Sequence, residues 1–196
     1  MSYEYSEDAL VENATQQVLE ELGWDVVYAW NNETFGEKGL LGRETKSEVI
    51  LKRYLLEALK KYNPGLPGTA YKNAIDLIEQ KVSGKTLERI NKEKYLMLTD
   101  GILVSFTNGK GELKKKKLRV FDFNDYSNNH FLAVRQLEIV GELYNRRPDV
   151  IGFVNGIPLV FFELKAHHIN LQNAYTENLS DYKDTIPEIF YCNAFI

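Results

Sequence analysis

The stretch RRPDVIGFVNGIPLVFFELKA, residues 146–166, holds two apolar runs and three charges that core strands do not ordinarily carry. Asp149 opens the first run, and Glu163 and Lys165 sit in the second. Successive strand residues face opposite sides, so Ile157, Leu159, Phe161, Glu163 and Lys165 share one face. Val160, Phe162, Leu164 and Ala166 share the other. A buried carboxylate is costly unless it is paired, protonated or bound to a metal. Glu163 and Lys165 lie about 7 Å apart along a strand, and taken alone they also suit a solvated strand end.

Asp149 separates these readings. VNGIP, residues 154–158, is a hairpin signal, and the loop length sets the register. A two-residue Asn155–Gly156 turn pairs Val154 with Ile157 and sets Asp149 opposite Phe162, with the two acids on opposite faces. A three-residue loop with Gly156 left-handed pairs Phe153 with Ile157. Asp149 then lies opposite Phe161, on the face of Glu163 and Lys165. A shared site therefore requires an odd loop or a bulge. With the three residues together, the chemistry is that of phosphodiester hydrolysis. Two neighbouring carboxylates repel each other, and a hard divalent cation relieves the repulsion. Mg2+ takes oxygen ligands and keeps several waters, one of which becomes the nucleophile, and Mn2+ can substitute for it. The backbone carbonyl of Leu164 offers a third protein oxygen. Lys165 is placed to orient or deprotonate the attacking water and to offset phosphate charge.

Working outward, the chain divides by texture into a helical part, 1–100, and a mixed-sheet part, 101–196, within one domain. Helices are predicted from Ser6 or Asp8 to Leu22, over 47–62, 70–81 and 86–98, and from about Asn170 to Lys183. GWDVVYAW (23–30) reads as a short strand before a glycine-rich loop, and NPGLPG (63–68) as a helix stop. ILVSF and LRVFDF read as strands around a turn segment, TNGKGELKKKK (107–117). HFLAVRQLEIVG (130–141) and the closing EIFYCNAFI (188–196) read as further strands. An apolar ending of that kind is expected of a chain that continues.

Hydrophobic residues make up 44% and aromatics 12% of the 196 residues, enough for a real core. Net charge is -4, so any polyanion site must be a local basic patch. One cysteine, Cys192, rules out an internal disulfide, and no paired Cys/His spacing suggests zinc. The N-terminus lacks signal-peptide character, and no apolar run approaches the ~18 residues of a membrane span. The expectation is a cytoplasmic protein with no membrane partner.

Pro148-Asp149 followed by Glu163-Leu164-Lys165 resembles the PD-(D/E)XK nuclease superfamily. The longer text narrows the resemblance. With FNDYSNNHFLAVRQLEI upstream, YKDTIPEIFYCNAF downstream, and SEDALVENATQQVLEELGW and NPGLP in the first part, nearly the whole chain resembles the N-terminal nuclease domain of the type I restriction enzyme R subunit, the HsdR family. That likeness implies an α/β, restriction-endonuclease-like fold, a mixed central sheet flanked by helices. It implies Asp149 and Glu163 as metal ligands, Lys165 as the catalytic lysine, and double-stranded DNA as substrate. It further implies methyltransferase and specificity subunits as partners and an ATP-driven motor beyond Ile196. No GxxxxGK[ST] loop occurs here, so no nucleotide is expected to bind this chain. Two other readings remain open, a stand-alone PD-(D/E)XK nuclease and a non-catalytic docking module.

The remaining candidates each have a plainer alternative. By the resemblance Glu12 is an accessory acid on the first helix; otherwise it is a solvated helix-face glutamate. Tyr182 matches the tyrosine of the family's Gln-x3-Tyr motif, or simply packs helix to sheet. Asn178 stands at the glutamine position and is one methylene shorter. Arg146 and Arg147 are candidates for a backbone phosphate beside Asp149, or for pairing with nearby acids. Lys114, Lys115, Lys116 and Lys117 form a basic run that can neutralise phosphates or be merely solvated. His130, His167 and His168 are read as structural.

Overall fold

The computed structural model of the chain describes residues 7–164 and 179–195. In chain order the elements are α1 (Glu7–Glu21), β1 (Asp25–Tyr28), α2 (Lys52–Tyr62), α3 (Gly68–Glu79), α4 (Leu87–Asp100), β2 (Ile102–Thr107) and β3 (Leu113–Leu118). They continue with β4 (Phe131–Arg135), β5 (Ile139–Val140), β6 (Asn145–Arg146), β7 (Val150–Val154), β8 (Ile157–Phe162) and α5 (Ser180–Thr185). A 3-10 turn, Pro187–Phe190, follows α5. The central sheet is mixed and four-stranded, in the order β1-β4-β7-β8. β1 runs parallel to β4, and the other two pairings are antiparallel. The expected mixed sheet flanked by helices is thus present, with β1 contributed from the helix-rich first part.

The sheet is covered on both faces, which explains why every residue of β7 is buried. On one face Ile151, Phe153 and Phe161 pack with Leu132, Val134, Ile186 and Phe190. On the other, Leu19 of α1 lies over Ala133 and Val150. Burying a large apolar side chain stabilises by roughly 1.5–3 kcal/mol, so Phe153 and Phe161 are principal anchors. Gly152 serves the α1 face. A Cβ there would stand 3.0 Å from the Trp24 ring, so glycine lets the indole lie closely against the strand and a larger residue would push it away. A second core joins α2, α3 and α4 to the two-stranded β2–β3 sheet through Leu59, Tyr71, Ile78, Leu98, Ile102 and Val104. Cys192 is buried, and burial pushes its thiol up to about 12, which leaves it inert at neutral pH.

Four elements differ from the sequence expectation. Helix α2 begins at Lys52 rather than Ser47, because Leu51 N–H donates to Gly156 O at 2.9 Å and ties the preceding residues to the β7–β8 turn. The lysine run is strand β3 itself, not a turn, and of LRVFDF, expected as a strand, only Leu118 belongs to it. The turn closes tightly at Asn108–Gly111, with Gly111 at φ 79°, so the ladder pairs Thr107 with Leu113 and continues through the lysines. An edge strand wet on both faces accepts lysine, and lysine discourages edge-to-edge pairing. HFLAVRQLEIVG splits into β4 and β5 where Gln136 turns to φ 53°. The closing EIFYCNAFI forms no strand among its described residues. It begins inside the 3-10 turn, with Ile189 and Phe190 buried, and then meets β8 through Ala194 and Phe195, which hydrogen-bond to Leu159 and Phe161, and an isolated bridge of Phe195 to Val160. Of the helix expected over 170–183, the described residues begin at 179 and the α-helix is Ser180–Thr185. No helix among the described residues is long and apolar enough to cross a membrane.

Candidate active site

The two acids meet through a bulge. The β7–β8 turn is the two-residue form, with Asn155 at φ 50° and Gly156 at φ 80°, the left-handed pair such turns favour. Val154 pairs with Ile157 and Phe153 with Pro158, but Gly152 pairs with Val160. Leu159 is the extra residue. The slip sets Val150 opposite Phe162; continued one pair further, it sets Asp149 opposite Glu163. Without the slip the two-residue turn would have put the acids on opposite faces. Leu164 N–H then donates to Asp149 Oδ2 at 2.7 Å, stitching the end of β8 to the start of β7.

Asp149 and Glu163 are half-buried at the sheet end. Burial pushes the Asp149 carboxyl above its ordinary value, and the charges of Glu163 and Glu12 push the same way. Hydrogen bonds from Leu164 N–H and Gln136 act against them. Tyr182 of α5 packs edge-on to Phe161, with centroids 5.4 Å apart. Burial raises its phenol well above the usual range, and the charges of Glu163 and Asp149 and a hydrogen bond to Glu163 add to the rise. Tyr182 is therefore a hydrogen-bond donor toward Glu163 at neutral pH.

Glu12 is drawn into the same neighbourhood from α1. Its Oε2 accepts from Arg135 Nη2 at 2.9 Å and its Oε1 from Gln136 Nε2 at 2.9 Å. Gln136 Nε2 also donates to Asp149 Oδ1 at 3.1 Å. Neither Arg135 nor Gln136 was singled out in the sequence, although two adjacent polar residues interrupting FLAV–LEIV were a visible sign of a strand end.

The basic candidates part company. Arg146 is engaged bidentately with Asp181, Nε–Oδ2 at 2.5 Å and Nη2–Oδ1 at 2.8 Å, so it fastens β6 to α5. Arg147 is exposed and lies over the Trp30 ring, 3.9 Å from its centroid. Trp30, just past β1, is a second neighbour that the sequence reading did not mark. Lys114, Lys115, Lys116 and Lys117 are exposed on β3. Lys114 pairs with Glu112 at 2.9 Å and Lys117 with Asp100 at 3.7 Å. His130 stacks on Tyr54 and contacts Asp25 at 2.9 Å, apart from the acids. Lys165, Asn178, His167 and His168 lie outside the described residues.

The donor set around Asp149 is all oxygen. Among the described residues no group of three or more His, Cys, Asp or Glu side chains is gathered as a metal cage. A carboxylate whose charge is disfavoured by burial and by a second acid across the hairpin fits a cation of the Mg2+ type, which is held by one or two carboxylates and completes its shell with water.

The chain matches the family described as Type I restriction enzyme R protein N terminus over residues 4–196. It is 37% identical over 187 residues to the type I restriction enzyme HindI endonuclease subunit of Haemophilus influenzae, covering 93% of this chain and 17% of that one. It is 32% identical over 196 residues to a Methanocaldococcus jannaschii protein provisionally named as the type I restriction enzyme MjaIXP endonuclease subunit, covering 94% of this chain and 18% of that one. The chain thus spans less than a fifth of the length of these relatives. With an end-to-end match and acids paired across the β7–β8 hairpin, the chain belongs to the Type I restriction enzyme R protein N-terminus family.

Proposed function

We propose that this domain is the metal-dependent endonuclease part of a type I restriction enzyme R subunit, hydrolysing phosphodiester bonds of double-stranded DNA. The observation that carries the reading is the Leu159 bulge, which sets Asp149 opposite Glu163. Asp149, Glu163 and the Leu164 carbonyl would hold Mg2+ or Mn2+. When bound, the cation supplies charge neutralisation at phosphate and lowers the pKa of water. Tyr182 orients the Glu163 carboxylate by donating to it, and the Leu164 N–H does the same for Asp149. Lys165, two residues beyond Glu163, would orient the attacking water and offset phosphate charge. Arg147, over the Trp30 ring, presents its guanidinium two residues from Asp149, where a backbone phosphate would pass. In the whole enzyme, methyltransferase and specificity subunits and an ATP-driven motor would present the DNA; no ATP is assigned to this chain.

Calorimetric titration of Mn2+ tests the site. One-site binding lost in both Asp149→Ala and Glu163→Ala is the expected result. Binding unchanged in both variants would place the cation elsewhere and sink the assignment. A complete absence of binding, with or without DNA, would favour a docking module of the same fold.

The basic residues have a separate test. Lys115 and Lys116 carry no ion pair with any described residue, so they can release counterions from phosphate. Replacing both with glutamine is expected to flatten the plot of log affinity for duplex DNA against log salt by about 2, at roughly 0.9 per phosphate contact. Arg146→Gln, which loses a pair with Asp181, is expected to leave that slope unchanged. Fluorescence anisotropy across a salt series reads both.

A further inference from the structure

We infer that Gln136 is a positioning residue that fixes the Asp149 carboxylate in the orientation needed to receive a cation. The inference rests on the reading of Asp149 as a cation ligand and adds a residue to that site. Gln136 Nε2 donates to Asp149 Oδ1 at 3.1 Å, while Leu164 N–H donates to Oδ2 at 2.7 Å. Each carboxylate oxygen therefore carries one directed donor, and the side chain has a single orientation. A carboxylate offers about four acceptor positions, so two remain for a cation.

The amide is itself held from behind. Gln136 Nε2 also donates to Glu12 Oε1 at 2.9 Å, and Glu12 Oε2 accepts from Arg135 at 2.9 Å. The main chain ties the same pair, with Gln136 N–H donating to Asp149 O at 2.9 Å. A line of contacts thus runs from Arg135 through Glu12 and Gln136 to Asp149, joining α1 and β4 to the first residue of the site. The backbone at Gln136 is the cost of this arrangement. Its φ of 53° lies in the left-handed region, which glutamine seldom adopts and which asparagine and glycine tolerate better. Strain of that kind persists where the surroundings over-determine it, typically beside a functional group. The length of glutamine lets this one amide reach both acids.

Asparagine makes the decisive variant, since it suits the backbone and keeps the amide but is one methylene short. Gln136→Asn and Gln136→Leu are expected to weaken Mn2+ binding roughly 10-fold or more, the usual effect of losing a group that orients a metal ligand. Gln136→Asn should melt at or above the wild-type temperature. Glu12→Ala should weaken binding in the wild-type background and have no further effect in the Gln136→Asn background, because it acts through the amide. Calorimetry and thermal melting on the same samples read all three. Gln136→Asn binding within about twofold of wild type would overturn the inference. So would an affinity loss that tracks a fall in its melting temperature, which marks a merely structural role. In either case a loss of binding in Asp149→Ala would leave the underlying site standing. Binding that survives Asp149→Ala would remove the site and this inference together.

Discussion

Asp149→Asn is expected to reduce DNA cleavage by the intact subunit by about 10²–10³-fold or more, as losing a preorganised electrostatic group does. The same variant should change how the fold responds to pH. The Asp149 carboxyl is raised in the folded protein, by burial first and then by the charges of Glu163 and Glu12. The folded state therefore holds the proton more tightly than the unfolded state does. Its contribution to stability is fully present below the unfolded value of 3.8 and is lost as pH rises through the folded value. Asparagine carries no charge, so the stability of the variant relative to wild type should improve between pH 4 and neutrality, the direction of a stability–activity trade-off. Urea unfolding of both proteins at the two pH values checks the sign, and an unchanged difference would refute it. A metal readout accompanies the pH one. At about 100 times its Kd, Mn2+ stabilises a folded protein by roughly 2.7 kcal/mol, or about 5–11 °C at 2–4 °C per kcal/mol for a chain of this size. Wild type should show that rise and Asp149→Asn should not.

Arg43→Met is expected to produce the largest loss of stability. Arg43 follows the glycine-rich loop, and its side chain is wholly buried. All five guanidinium donors are used. Nε and Nη2 grip Glu33 at 2.7 and 2.5 Å, Nη1 reaches the carbonyls of Lys46 and Glu48, and Nη2 reaches the carbonyl of Glu138. Methionine fills the space but leaves the Glu33 carboxylate, 8% exposed, with its charge uncompensated. Breaking such a pair from one side costs about 3–5 kcal/mol. Lysine keeps the charge but cannot make the fork, so Arg43→Lys should recover only part of the loss. Arg43→Met combined with Glu33→Met should be more stable than Arg43→Met alone, because no buried charge is left behind. Denaturant midpoints for the series measure this. Equal midpoints for wild type and Arg43→Met would show that the network contributes nothing. The consequence reaches the site, since the Glu138 carbonyl that Arg43 holds is two residues beyond Gln136.

Much of this architecture was legible in the sequence, for reasons that differ by element. Helices α3 and α4 follow from apolar spacing with clear stops, and Thr86 caps α4 by accepting from Arg89 N–H. The hairpin turn follows from Asn155–Gly156. The requirement for an odd loop or a bulge also followed, but the choice between them did not, because register depends on a single inserted residue. The signs were there. Gly152 inside one strand and Pro158 inside the next mark the kind of position where a ladder slips. The lysine strand was unreadable by propensity, since β3 exists only because β2 offers it a partner. Arg43 and Gln136 are polar residues whose partners lie far along the chain or on another element, and no local pattern announces such pairs. Arg146 was read either for a phosphate beside Asp149 or for pairing with an acid; it pairs with an acid, but Asp181, distant in sequence, could not be named in advance.

The Leu159 bulge makes the acidic pair a matter of parity. Strand faces alternate, so whether Asp149 and Glu163 meet depends on whether the residue count between them is odd or even, given the fixed turn. Side chains along the hairpin can vary in identity while the pairing survives, provided they stay apolar and of suitable size. Gain or loss of one residue instead sends an acid through to the α1 face, where Leu19 and Trp24 pack. Compensated pairs of insertions and deletions restore the arrangement. Across related hairpins, length should therefore vary in steps of two while residues interchange within the apolar set, and a bulge can move along the strands without closing the site.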